Sequence, residues 1–154
     1  RVGTYGMVAT ILQLLLKISA LIYIAKESMD APFFLGLVFI VYHSLARTTA
    51  IKVSFILPYV REDEKSKAKP IAKKHRPIDA FIATLLGLFP LLVFMFYYSP
   101  LFGIVVAPLV FLLFYFKAYL RKWIGGYTGD CLGAMEQISE VIILLSVLAI
   151  CKFI

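Results

Sequence analysis

A long apolar stretch from Ala80 to Phe116 reads AFIATLLGLFPLLVFMFYYSPLFGIVVAPLVFLLFYF and contains no Lys, Arg, Asp or Glu. A helix needs roughly 20 apolar residues to cross the hydrocarbon core of a bilayer, so this stretch is long enough for two membrane spans. Composition agrees, because 62% of the 154 residues are hydrophobic, against about 45 to 50% in a typical soluble domain. The sequence therefore predicts an all-α, polytopic integral membrane protein.

Outward from this stretch, hydropathy and turn residues predict about five membrane-spanning helices in a single membrane domain, residues 1 to 154. The predicted spans are Gly6 to Ala25, Pro32 to Pro58, Ile78 to Tyr97, Pro100 to Tyr119, and Asp130 to Ile150. Pro32 and Pro100 suit the first turns of the helices that follow them, where a missing N–H group is harmless.

The net charge of +7 is distributed as expected for membrane topology rather than for nucleic-acid binding, because the basic residues cluster at the ends of apolar segments. A basic loop, residues 59 to 77, includes Arg61 to Arg76 with seven Lys or Arg against three acids. Lys117 to Lys122 adds three more cations. Both regions are predicted to be cytoplasmic, and alternation of the spans then places Arg1 and Gly125 to Asp130 on the same side.

Small and polar residues form one stripe along the first span. They recur at steps of three and four residues, which places them on one helix face: Gly3, Gly6, Thr10, Gln13 and Lys17. Two interpretations are open. The stripe is either a glycine-based helix contact with a snorkelling lysine, or a functional face that presents Lys17 to a site, since charged groups inside a span often mark function.

Charged groups also interrupt the second span. Ser44, Thr48 and Lys52 lie on one stripe, and His43 and Arg47 lie on the adjacent one. His43 fits a core histidine with satisfied hydrogen bonds as well as a functional residue. A buried guanidinium without an anionic partner is very costly, and no carboxylate in the other spans is an obvious partner for Arg47. We therefore expect Arg47 to bind a phosphate group of a ligand.

The last span opens with GGYTGDCLGAMEQISE, which begins at Gly125. Glycines let backbone N–H groups approach an anion closely, and the helix start adds its positive dipole end. Asp130, Gly133, Gln137 and Glu140 share one helix face, where acidic side chains can hold a divalent cation or accept a proton. The structural alternative is that Thr128 or Asp130 is an N-cap and that Gln137 and Glu140 make interhelical hydrogen bonds.

Together these stretches resemble the cobalamin synthase family, the adenosylcobinamide-GDP ribazoletransferases, which are membrane enzymes of late vitamin B12 assembly. The most specific match is GGYTGDCLGA, Gly125 to Ala134, with Glu140 at the right distance. RVGTYG, Arg1 to Gly6, looks like the end of the family's Asp-Ser-Arg-x-Gly-x-x-Gly element and precedes the apolar helix that contains Lys17. A weaker match runs from SLAR to PYVRE, Ser44 to Glu62. The resemblance covers essentially the whole chain and the C-terminal two-thirds of a family member.

One departure from the family pattern concerns the beginning of the chain. Family members carry an acidic cluster of the form His-x-Asp-Gly-Leu-x-Asp-x-x-Asp, which is absent from this sequence. It is expected to lie just before Arg1. Because the chain begins with Arg rather than Met and shows no signal peptide, we expect an N-terminal part to be missing.

The resemblance implies transfer of the phosphocobinamide group of adenosylcobinamide-GDP to a hydroxyl of alpha-ribazole or of its 5'-phosphate, with release of GMP. Magnesium is the implied cofactor, and phosphoryl transfer depends mainly on positioning and charge neutralisation. Asp130 and Arg47 are the implied catalytic residues, and Asp130 and Glu140 the metal ligands. The implied phosphate-binding residues are Arg1, Lys17, Arg61, Gly125, Gly126, Thr128 and Gly129. Gln137 and Gly133 support the helix face.

The resemblance also implies a multi-pass protein of the cell membrane, with its active site facing the cytoplasm. The lipid bilayer is then a partner of the chain, and a homo-oligomer is compatible with this interpretation. Two other functions stay open at this point. One is a CDP-alcohol-type membrane phosphotransferase, although its signature is not visible. The other is a small-solute transporter with Lys17, Arg47 and Glu140 along the translocation path.

Overall fold

The computed structural model describes residues 3–27, 32–60 and 76–153. Five α-helices follow one another, and a short 3-10 helix, Pro100–Val105, leads into the fourth. The helices are α1 Thr4–Glu27, α2 Pro32–Ile56, α3 Pro77–Tyr97, α4 Val106–Trp123 and α5 Gly129–Cys151. Five segments of the described chain are long and apolar enough to cross a membrane, the fourth being Pro100–Trp123. The predicted all-α membrane architecture is therefore confirmed.

The helix ends follow local chemistry. Pro77 and Pro100 each occupy the first turn of the element they begin, where proline is pre-organised for a helix. The Asp79 side chain accepts a hydrogen bond from the Arg76 backbone N–H at 3.0 Å. The largest difference from the predicted bounds is at the fourth span, which was expected to end at Tyr119 and continues to Trp123.

Helices α2 and α5 form the centre of the bundle, with α1, α3 and α4 packed around them. The larger buried cluster lies toward the 3-10 helix and includes Phe94, Phe102 and Leu144. The smaller one surrounds the start of α5 and includes Tyr127 and Met135. The bundle is thus held by apolar packing along its whole length.

A glycine lets α2 and α3 approach closely. Ser44 Oγ donates to the Gly87 carbonyl at 3.0 Å, and a Cβ atom added at Gly87 would fall 1.7 Å from Thr48 Oγ1. The Ser44 and Thr48 stripe of α2 therefore faces α3. This orientation turns the neighbouring stripe of His43 and Arg47 toward α5.

The end of α2 and the start of α5 lie at the same end of the bundle, because an isolated parallel bridge joins Tyr59 to Tyr127. We call this end the turn end. The shared location agrees with the predicted alternation of spans. Most of the predicted basic loop, 59 to 77, falls outside the described residues, and so do Arg1 and Arg61.

Candidate functional site

A buried ion pair joins α1 to α5. Lys17 Nζ donates to Glu140 Oε2 and to Gln137 Oε1, the latter at 2.6 Å. The Lys17 and Glu140 side chains are 12% and 6% exposed. Gln13 Nε2 also donates to Gln137 Oε1, at 3.3 Å. Gln137 and Glu140 thus share the face of α5 that meets α1, and Lys17 neither snorkels nor stands open to an incoming phosphate.

A second ion pair corrects the expectation that Arg47 lacks a carboxylate partner. Arg47 Nε lies 3.2 Å from Glu136 Oε1, and the two side chains are 74% and 29% exposed. Only Nε takes part in this contact, and the terminal amino groups of Arg47 have no partner among the described residues. Arg47 therefore keeps donors for a ligand, while Lys17 is committed to Glu140.

His43 completes the cluster on the α2 side. Its Nδ1 atom lies 3.2 Å from Glu140 Oε1, and its side chain is 48% exposed. Two pairs of side chains thus connect α2 to α5: His43 with Glu140, and Arg47 with Glu136. Arg47 lies one turn after His43 on α2, and Glu136 lies one turn before Glu140 on α5. This is the register of two antiparallel helices that match side chains every four residues. Sequence reasoning missed Glu136, although this spacing would have indicated it.

The glycine-rich turn before α5 is fastened to the end of α2. The Tyr127 N–H donates to the Pro58 carbonyl at 2.9 Å, and the Val60 N–H donates to the Tyr127 carbonyl at 3.1 Å. Tyr127 is buried, and this burial raises the pKa of its phenol, with Tyr59 adding to the effect. Tyr127 thus acts as the anchor that fixes where α5 begins.

The glycines of this turn have different roles. Gly125 has φ +80°, which favours glycine, and its N–H donates to the Leu120 carbonyl at 3.0 Å. Gly126 is packed so closely that an added Cβ atom would lie 2.2 Å from the Pro58 carbonyl oxygen. The sequence predicts that these two glycines form a phosphate pocket. In the structure, the turn conformation requires glycine at 125, and the close approach of the Pro58 backbone requires it at 126.

Replacing Gly126 with Ala is expected to lower the free energy of unfolding by about 1 to 3 kcal/mol, because the Pro58 backbone must move to admit the methyl group. Thermal unfolding in detergent measures the change. Gly133→Ala is the matched control, since a Cβ atom there meets nothing within 4 Å. A Gly126→Ala variant as stable as the control would contradict the tight contact.

The first turn of α5 begins at Gly129, with Thr128 at the N-cap position. The Thr128 side chain makes no capping hydrogen bond and lies 3.2 Å from Cys131 Sγ. Asp130 is exposed in the first turn of the helix, where a carboxylate is stabilised by the helix dipole. Thr128, Gly129 and Asp130 thus stand together at the turn end.

The structure does not bring the two predicted metal ligands together. Asp130 and Glu140 are ten residues apart on one helix, which separates their Cα atoms by about 15 Å, and Glu140 is engaged by Lys17 and His43. Within the described ranges, no group of three His, Cys, Asp or Glu residues could hold a metal ion. These residues therefore do not fit a complete magnesium site.

We call the space between the beginnings of α1 and α5 the α1–α5 cleft. The two helices are joined by side-chain contacts at Gln13 and Lys17, and before that level Gly3 and Gly133 are exposed. A Cβ atom added at Gly3 or at Gly133 would meet nothing within 4 Å. This α1–α5 cleft therefore has a polar floor, with Asp130 at its rim on the helix face that carries Gly133.

The chain matches a family model along almost its entire length. The model is CobS, cobalamin-5-phosphate synthase, and it matches residues 1–149. The chain belongs to the cobalamin-5-phosphate synthase family. The segment Gly125 to Ala134, which suggested this family, begins the helix on one side of the α1–α5 cleft. The family matched is a synthase family and neither of the two other protein classes left open by the sequence.

Three curated relatives of this chain are named adenosylcobinamide-GDP ribazoletransferase. The protein of Leptospira interrogans is 35% identical over 152 residues, which are 96% of this chain and 56% of the relative. The protein of Shewanella oneidensis is 38% identical over 146 residues, 92% of this chain and 52% of the relative. The protein of Vibrio cholerae is 34% identical over 149 residues, which are 97% of this chain and 54% of the relative. The chain thus spans about half the length of these relatives, and no solved structure matches it significantly.

Proposed function

We propose that this chain supplies a phosphate-binding half of an adenosylcobinamide-GDP ribazoletransferase, and that the diphosphate-containing substrate enters the α1–α5 cleft from the turn end. The observation that carries the proposal is the exposed Arg47 guanidinium with its unused terminal donors, in a chain whose relatives are named for this reaction. The turn end would face the cytoplasm, from which soluble nucleotide substrates arrive.

In the proposed reaction, a hydroxyl oxygen of alpha-ribazole, or of its 5'-phosphate, forms a bond to the phosphorus that carries cobinamide. The bond from this phosphorus to the oxygen of the GMP group breaks, GMP leaves, and the hydroxyl proton is released. Negative charge on the phosphoryl oxygens must be neutralised throughout this transfer. Positioned cations and hydrogen-bond donors are therefore the main requirement placed on the protein.

Among the described cations that contact α5, Arg47 is the one we expect to neutralise a phosphate, because its terminal amino groups are unused. Its contact with Glu136 is exposed, and an exposed ion pair contributes only about 0 to 1 kcal/mol. A diphosphate can therefore displace Glu136 and accept two parallel hydrogen bonds from the guanidinium. Lys17 would instead hold the floor of the cleft in place through Glu140, as a positioning residue.

Asp130 at the rim of the cleft would orient the attacking hydroxyl by accepting its hydrogen bond. Thr128 and the Gly129 N–H, two residues and one residue before it, would contact a phosphate oxygen at the helix start. Magnesium stays a prediction for this family, because the described residues offer only Asp130 at this rim.

The Asp130→Asn variant of the full-length protein tests this proposal. We expect it to form cobalamin or its 5'-phosphate at least about tenfold more slowly, because it loses a charge-assisted hydrogen bond. The assay follows GMP and corrinoid product from adenosylcobinamide-GDP and alpha-ribazole in liposomes. Asp79→Asn, an exposed carboxylate in the first turn of α3, is the matched control. Equal rates for both variants would remove Asp130 from the mechanism, and an unmodified protein without product would refute the function.

A further inference from the structure

A small cavity opens between α2, α3 and α4, on a different side of α2 from the α1–α5 cleft. Its volume is about 110 Å³, and residues of all three helices line it, among them Leu45, Leu88 and Leu109. Helices α3 and α4 meet mainly through the 3-10 helix and make few direct contacts. The two helices therefore leave space between them that the bundle's own side chains do not fill.

The walls of this cavity suit hydrocarbon. The hydroxyl groups that line it belong to Thr48, Thr49 and Thr84. Each donates to the carbonyl four residues earlier in its own helix at 2.7 Å, so none has a donor left for a ligand. The other lining side chains are apolar apart from Lys52. Apolar cavities of this size stay dry and bind apolar groups.

Lys52 adds a cation to the lining of the cavity. It lies four residues before the end of α2 at Ile56, about 6 Å below the turn end. Among the residues described, it makes no ion pair and no hydrogen bond. Lys117 follows the lining residue Leu113 by one turn of α4, on the same helix face. The apolar space thus lies next to positive charge near the turn end, and neither lysine has an ion-pair partner in the part of the chain that the structure describes.

We propose that this cavity is a binding site for an anionic phospholipid of the leaflet on the turn-end side. One acyl chain enters between α3 and α4, and the lipid phosphate pairs with Lys52 and Lys117. A lysine whose stem lies along apolar surface while its ammonium group reaches the interface is well suited to this task. The site is separate from the α1–α5 cleft, so it does not depend on the transferase reaction.

Native mass spectrometry of the detergent-purified full-length protein tests the proposal, with phosphatidylglycerol and phosphatidylcholine of identical acyl chains as probes. We expect phosphatidylglycerol to bind more tightly, and Lys52→Gln to weaken its binding about fivefold while leaving phosphatidylcholine unchanged. Val110→Phe, at an exposed lining position, is expected to weaken the binding of both lipids, because the phenyl ring fills the space for the acyl chain.

Two controls make the result decisive. Lys122→Gln removes a cation that lies 5.4 Å from the Trp123 ring centroid at the same end of the bundle, and it should leave lipid binding unchanged. Glycerol phosphate, which lacks acyl chains, should fail to displace phosphatidylglycerol. The proposal is overturned by equal binding of the two lipids, by equal effects of the Lys52 and Lys122 variants, or by displacement with glycerol phosphate.

Discussion

Replacing Glu140 with Leu is expected to lower the free energy of unfolding by about 3 to 5 kcal/mol, because it leaves the Lys17 ammonium group buried without an anion. Lys17 is only 12% exposed, and Gln137 would remain as its neutral acceptor. The same change removes the contact to His43 Nδ1. Unfolding in detergent, followed by helical circular dichroism, measures the loss.

A double-mutant cycle shows whether the effect belongs to the ion pair. The Lys17→Leu/Glu140→Leu variant should recover most of the lost stability, because neither buried charge remains. Glu136→Gln is the control, since its pair with Arg47 is exposed and should change stability by no more than about 1 kcal/mol. A double variant less stable than Glu140→Leu would contradict the buried pair.

Replacing Gly133 with Phe is expected to reduce transferase activity of the full-length protein by more than about a hundredfold, since misplacing a substrate by 1 Å can have an effect of that size. The side chain would extend into the α1–α5 cleft, where an added Cβ atom meets nothing within 4 Å. For the same reason the bundle should stay folded. Turnover and the unfolding midpoint, measured on one preparation, distinguish a blocked cleft from a loss of folding.

Gly36→Phe is the matched control for this prediction. Gly36 also lies in a helix with nothing within 4 Å of an added Cβ atom, but it lies near the start of α2, away from the turn end. It should leave turnover within about twofold of the unmodified protein, because it touches no part of the proposed site. If the two variants lost activity to the same extent, the cleft would have no special role.

The membrane spans could be predicted from the sequence because each depends on local composition. Absence of charge from Ala80 to Phe116 is sufficient for two spans, and Pro32 and Pro100 mark helix starts without reference to packing. The continuation of α4 to Trp123 was missed, because the cations Lys117, Arg121 and Lys122 resemble the end of a span although they extend the helix.

The pairing of the polar residues could be predicted only in part. The helical period predicts that Gln137 and Glu140 share one face of α5. That Lys17 pairs with Glu140 depends on how far α1 is shifted along α5, which the sequence does not give. Likewise, Gly126 and Gly133 are identical as residues, yet one abuts the Pro58 carbonyl and the other faces open space. Such differences arise from contacts between segments far apart in the chain.

Substrate protection of a cysteine placed at Gly133 tests most directly whether the α1–α5 cleft binds the substrate. In full-length protein with its native cysteines replaced, Gly133→Cys should react with a membrane-impermeant maleimide from the turn side. Saturating adenosylcobinamide-GDP should slow this reaction more than about tenfold, because a bound ligand excludes the reagent. Gly36→Cys should show no such protection. Labelling of Gly133→Cys at the same rate with and without substrate would contradict the account.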